Sequence, residues 1–133
     1  MNTVYAREDY LGADEYIDVV RKSGLNRPVE DRARVERMLA HANLILTARQ
    51  DGRLVGFARS LTDFSFCCYL SDLAVDKACQ GQGIGKRLIE ETRTAAGGTL
   101  TTTLLLSAPT AMTYYQGIKM PHADNCFLYR RER

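Results

Sequence analysis

Between Leu70 and Leu88 the chain reads LSDLAVDKACQGQGIGKRL, and no other stretch restricts the fold as strongly. An apolar run leads at once into three glycines within five residues, Gly81, Gly83 and Gly85. Ile84, Leu88 and Ile89 then recur at helical spacing, so the order is strand, glycine turn, helix. A turn that merely eases a tight connection is one explanation, but glycines weaken a helix start through their backbone entropy. Bare main-chain N–H groups at the positive end of a helix dipole form an anion site, and phosphate is its natural occupant. Two familiar phosphate loops do not fit. The P-loop needs Gly-Lys followed by Ser or Thr, whereas Arg87 follows Lys86 and Gln80 stands where its first glycine belongs. In the dinucleotide fingerprint the third glycine falls on Lys86, and the turn lies past the middle of the chain.

Periodicity supplies the elements around the turn. Ala13, Tyr16, Ile17 and Val20 share one face of a helix that Gly24 ends, and Val35, Met38, Leu39 and Ala42 repeat the pattern after Pro28. LILTA at 44–48 and LVGFA at 54–58 flank RQDG, whose Asp51-Gly52 pair suits a hairpin. A further strand is expected through Phe66 to Val75. The helix after the turn runs to about Ala96 and is closed by Gly97-Gly98, and LTTTLLLS at 100–107 returns as a strand parallel to the one before it. Pro109 opens a short helix through Tyr114 and Tyr115 that Gly117 stops, and CFLYR at 126–130 is expected as a last strand. The expectation is an α/β domain with a mixed sheet, occupying residues 1–133 as a single unit.

Bulk properties narrow the function. A formal net charge of +2, with YRRER at the end as the one locally basic stretch, argues against nucleic acid as partner. Nothing reads as a signal peptide or a bilayer-spanning run, so no membrane association is expected and the cytoplasm is the default location. Cys67, Cys68, Cys79 and Cys126 lack CxxC spacing and read as buried free thiols; His41 and His122 stand alone, so no metal is expected.

Gln80-Gly81-Gln82-Gly83-Ile84-Gly85 matches Q/R-x-x-G-x-G/A, and with LSDLAVD before it this segment resembles the fourth strand and pyrophosphate loop of the GNAT superfamily of acetyl-CoA-dependent N-acyltransferases. The order of segments follows that family over nearly the whole chain. The resemblance implies the GNAT fold: a mostly antiparallel sheet with one splayed parallel pair and helices on both faces. It implies acetyl transfer from acetyl-CoA to a primary amine of a small molecule or peptide by direct attack in a ternary complex. A module that binds or senses coenzyme A without turnover is the alternative. Homodimers are common in the superfamily, and no exposed apolar stripe marks an interface here.

Carried over residue by residue, the amides of Gly81, Gln82, Gly83, Ile84, Gly85 and Lys86 would cradle the coenzyme's pyrophosphate, with Gln80 shaping the turn and Ile84 plugging the helix into the core. Leu73, Ala74 and Val75 would offer main-chain hydrogen bonds to the pantetheine arm. Tyr115, second of the aromatic pair, would protonate the leaving sulfur, a task suited to a phenol titrating near 10. The fourth-strand glutamate some members use as a base falls at Tyr69 or Ser71. Asp72 is the adjacent carboxylate, and serves only if a bulge turns it to the same face; a water chain, Asp14 or Glu15 are alternatives. Three departures stand out: Ala108 where the family often has asparagine, Lys119-Met120 in place of Gly-Phe, and an abbreviated end.

Overall fold

The computed structural model describes residues 2–133. Its elements in chain order are β1 (Val4–Arg7), α1 (Ala13–Ser23), α2 (Arg32–His41), β2 (Leu44–Gln50), β3 (Arg53–Thr62), β4 (Cys67–Val75), α3 (Ile84–Ala95), β5 (Thr102–Leu104) and α4 (Met112–Gly117). Both early helices form for the reasons their sequences give. α1 buries Ala13, Tyr16, Val19 and Val20 on one face, carries Asp14 and Glu15 in its first turn and Arg21 and Lys22 in its last, and ends at Gly24 with φ +84°. In α2 the Asp31 side chain accepts the Arg34 N–H at 3.1 Å as a cap, and of the expected apolar face only Val35 is fully buried. The hairpin loop shrinks to Asp51 and Gly52, both at positive φ (51° and 78°), as a two-residue turn requires.

The sheet has five strands in the order β1-β2-β3-β4-β5. All neighbours are antiparallel except β4 and β5, which run parallel on either side of α3. On one face α3 contributes Ile84, Leu88 and Ile89 to a core with Leu44, Leu46, Val55, Ala58, Cys68 and Leu70. On the other, Tyr16, Val19, Val20 and Val35 of α1 and α2 pack against Ile45, Leu54, Phe57 and Ala74. The rings of Tyr16 and Phe57 lie 4.9 Å apart at that layer's centre. Helices on both faces of a mixed sheet are the architecture the motif implied. Gly56 lets α3 approach so closely, since a Cβ there would lie 3.3 Å from both Ile84 and Leu88 side chains and 3.1 Å from the Ala74 carbonyl oxygen.

One strand is unforeseen and three expectations are corrected. β1 is a strand that the opening residues do not advertise, because it is an edge strand whose four residues are all exposed or only partly buried. The strand expected over 100–107 pairs only through Thr102–Leu104. CFLYR forms no strand: 120–133 have no regular structure, and Phe127 and Tyr129 are fully exposed, since an apolar run becomes a strand only where a ladder accepts it. Of the cysteines, Cys68 and Cys79 are buried but Cys67 and Cys126 are exposed. No helix is long and apolar enough to cross a membrane among the described residues.

Candidate functional site

The site begins with a defect in the sheet. Arg59 of β3 pairs with Asp72 and Ser60 pairs with Leu70, which leaves Ser71 unmatched as a β-bulge. The extra residue resets the alternation. Cys68 and Leu70 point to the α3 side, Leu73 and Val75 also pack against that side, and Asp72 and Ala74 turn to the α1 side. The parallel ladder with β5 ends two residues earlier, at Tyr69 and Leu104. Beyond that point, among the described residues, no strand pairs with the outer edge of β4.

Main-chain geometry decides what this open edge offers. The Asp76 N–H donates to the Val55 carbonyl at 2.8 Å, so the main-chain groups of Ala74 face β3 and those of Leu73 and Val75 face outward. Two of the three expected arm contacts are therefore available, and Ala74 is withdrawn because its N–H and C=O are committed to the β3 ladder. The Val75 carbonyl already accepts the Gln80 Nε2 at 3.0 Å. Gln80 thus clamps the end of the strand to the start of the turn.

The turn itself is held from below. Asp76 accepts the Ala78 N–H at 2.9 Å, and Gln82 accepts the Gln50 Nε2 at 3.3 Å. Gly81 (φ +83°) and Gly83 (φ +79°) lie in the left-handed region, and space is open where a Cβ on either would project. The first α3 hydrogen bond is Arg87 N–H to Gly83 at 3.0 Å, and among the described residues no acceptor meets the N–H groups of Gly81, Gln82, Gly83, Ile84, Gly85 or Lys86. Six consecutive free amides at a helix N-terminus suit a diphosphate in number and direction. Arg87 is engaged elsewhere, paired with Glu91 at 2.8 Å and lying over the Tyr5 ring. Lys86 is exposed beside the amides.

Beside the turn stands α4. The rings of Tyr114 and Tyr115 meet edge to face at 5.2 Å. The Tyr114 hydroxyl rests against Gly85, closely enough that a Cβ at that glycine would collide with it. Residue-type patterns gave no sign of this contact. Tyr115 is half-buried against the α3-side core. Burial first, and then the neighbouring Tyr114, raise its pKa, against a smaller opposing effect of the Arg27 charge. The phenol is thereby held protonated at neutral pH.

Asp72 is in no position to take a proton. Its carboxylate is fully buried and accepts from Tyr16 Oη (2.7 Å), Arg59 Nε (2.6 Å), Arg27 Nε (2.7 Å) and Ser71 Oγ (3.0 Å). Burial raises its pKa, but the hydrogen bond and charge of Arg59 and those of Arg27 more than offset this and leave it below the ordinary carboxylate range. The bulge does bring Asp72 to the face of Tyr69, as the base reading required, and two arginines then occupy it. Glu15 is bound to Arg49 at 2.7 Å and Asp14 to Arg32 at 2.6 Å. Among the described residues no cluster of three or more His, Cys, Asp or Glu side chains is arranged to hold a metal.

A model of the acetyltransferase (GNAT) domain matches residues 16–118. The chain belongs to this family. It is 31% identical over 100 residues to an uncharacterized N-acetyltransferase, ycf52, of Porphyra purpurea, covering 69% of this chain and 54% of that one. The plant acetyltransferases it also matches are covered over only 16–17% of their own length. Among solved structures, a probable acetyltransferase from Staphylococcus aureus superposes with a TM-score of 0.80 at 18% identity, over 98% of this chain and 99% of that one. The aminoglycoside N-acetyltransferase AAC(6')-Iy in complex with CoA superposes with a TM-score of 0.72 at 15% identity, over 99% and 96% of the two chains. These two likenesses concern the fold.

Proposed function

We propose that this chain binds acetyl-CoA along the open edge of β4 and transfers the acetyl group directly to a primary amine. The observation that carries the reading is the run of six unpartnered amides from Gly81 to Lys86 over two left-handed glycines. They would receive the diphosphate, while the outward main-chain groups of Leu73 and Val75 would pair with the amides of the pantetheine arm. The coenzyme supplies an activated acetyl thioester. Tyr115 acts as acid: as the amine nitrogen bonds to the acyl carbon and the carbon–sulfur bond breaks, the phenol gives its proton to the sulfur. Water takes the proton the amine loses, and Tyr115 is reprotonated from solvent. Products are the acetamide and free coenzyme A thiol.

Calorimetry of acetyl-CoA against wild type and Gly83→Asp tests the binding half. Unchanged affinity in the variant removes the loop assignment. Thiol release across a panel of amines tests the transfer half, and sequential initial-rate kinetics are expected for direct attack. One observation favours a second reading. Asp72 is committed to two arginines, and Asp14 and Glu15 are each paired with an arginine, so none of the three candidate carboxylates is free to serve as base, as a coenzyme A sensor without turnover would have it. Tight binding with no thiol release from any amine would select the sensor.

A further inference from the structure

The cluster under the Ser71 bulge is unbalanced in charge. Asp72 is one carboxylate against two guanidinium groups, Arg59 and Arg27, which leaves a surplus of one positive charge. Tyr16 does not offset it, because burial and then Asp72 itself push that phenol's pKa far upward and keep it neutral. The two arginines differ in what they have left to give. Arg59, 8% exposed, donates to both Asp72 oxygens, to Ser71 Oγ at 3.0 Å and to the Met38 carbonyl at 3.3 Å. Arg27, 22% exposed, donates from Nε to Asp72, from Nη1 to the Asn26 carbonyl at 2.6 Å and from Nη2 to the Ser71 carbonyl at 2.6 Å. A guanidinium has five N–H donors, so one on each terminal nitrogen of Arg27 stays free. Asp72 is its sole ion-pair partner among the described residues.

Its location gives this surplus a purpose. Arg27 lies in the connection between α1 and α2 and rests on the bulge just past the last β4–β5 pair, where the open edge begins. Its charge also reaches Tyr115. We infer that Arg27 reads a carboxylate on the acceptor, so that the preferred acceptor is an amino-acid-like amine carrying a carboxylate beside the nucleophilic nitrogen. This rests on the acetyl-transfer reading above. A planar fork with two free donors fits a carboxylate, whereas a polycationic amine meets repulsion at the same place.

The test uses matched amines: an amino acid, its amide and the amine lacking the carboxyl group, in triplets built on glycine, leucine, phenylalanine and lysine, with spermidine as a polycation. Thiol release from acetyl-CoA is expected to favour the free acid by about tenfold or more in kcat/KM over its amide. Arg27→Gln should bring that ratio close to one, while Arg27→Lys, which keeps the charge and loses the fork, should retain part of it. Equal turnover of acid and amide, a preference for spermidine, or a ratio unchanged in Arg27→Gln overturns the inference. If no amine is turned over, the readout is the melting temperature of the coenzyme A-loaded protein. Glycine and acetate should raise it in wild type and not in Arg27→Gln, and ethylamine should raise it in neither; no rise in wild type overturns the inference. Acetyl-CoA titration of the same proteins reports separately on the binding reading, so the two failures are distinguishable.

Discussion

The two walls of the open β4 edge are built to different standards. On one side, α3 has twelve residues, of which Ile84, Gly85, Leu88, Ile89 and Thr92 are buried, and its starting turn is tied to Val75 and Gln50 by side-chain amides. On the other side, α4 has six residues, none fully buried, and no side-chain cap at its start. It ends in a Schellman arrangement, with Met120 N–H bonded to the Tyr115 carbonyl at 3.1 Å and Lys119 N–H to Gln116 at 3.0 Å. The left-handed position that glycine normally takes there is held by Lys119 at φ +61°. The difference teaches that the wall bearing the glycine turn is part of the core and the wall carrying Tyr115 is an attachment to it.

The largest effect is expected at the network that joins the early helices to the bulge. Asp72→Ala leaves two guanidinium groups, one of them deeply buried, without their counter-ion and should cost about 3–5 kcal/mol in urea unfolding. A loss no greater than that of a surface substitution would show that the network does not hold the layers together. The pH dependence has a definite sign. The folded pKa of Asp72 is depressed, so its contribution is complete above the unfolded value near 4 and is lost as pH falls through the lower folded value.

Tyr115→Phe should come next, lowering turnover by about 10²-fold with little change in acetyl-CoA affinity. Equal losses in both would make the residue a packing group and weaken the contrast between the walls. Gly83→Asp should lower acetyl-CoA affinity by about tenfold or more, since it strains the left-handed position and sets a negative charge among the amides. The smallest change should be a gain. Lys119→Gly removes the left-handed penalty and should stabilise the domain by about 1 kcal/mol, read as a rise in melting temperature. No rise would mean that the last turn of α4 is frayed in solution.

Much of the glycine-turn wall was legible because its signals are short in range. Glycines at 81 and 83 announce left-handed backbone, and the stripe of Ile84, Leu88 and Ile89 announces which side of α3 is buried. The departure at Lys119 was legible too, and the backbone there takes the conformation of the glycine it replaces. What escaped notice depends on partners far along the chain. β1 exists because β2 offers it a ladder, and CFLYR remains irregular because nothing here pairs with it. Arg27, 45 residues from Asp72 in sequence, carries no local mark of its pairing with that carboxylate.

By itself, the sequence settled the strand–turn–helix unit, the Asp-Gly hairpin and the buried faces of α1 and α3. Each follows from φ preferences or from a period of two or 3.6 residues acting over a few neighbours. Tertiary structure alone decided the fate of Asp72. One unmatched residue at Ser71 turned that carboxylate toward α1, and two arginines from other elements then claimed it. A bulge is a mismatch between two strands, and an ion pair joins groups distant in the chain, so neither is encoded in any single stretch of residues.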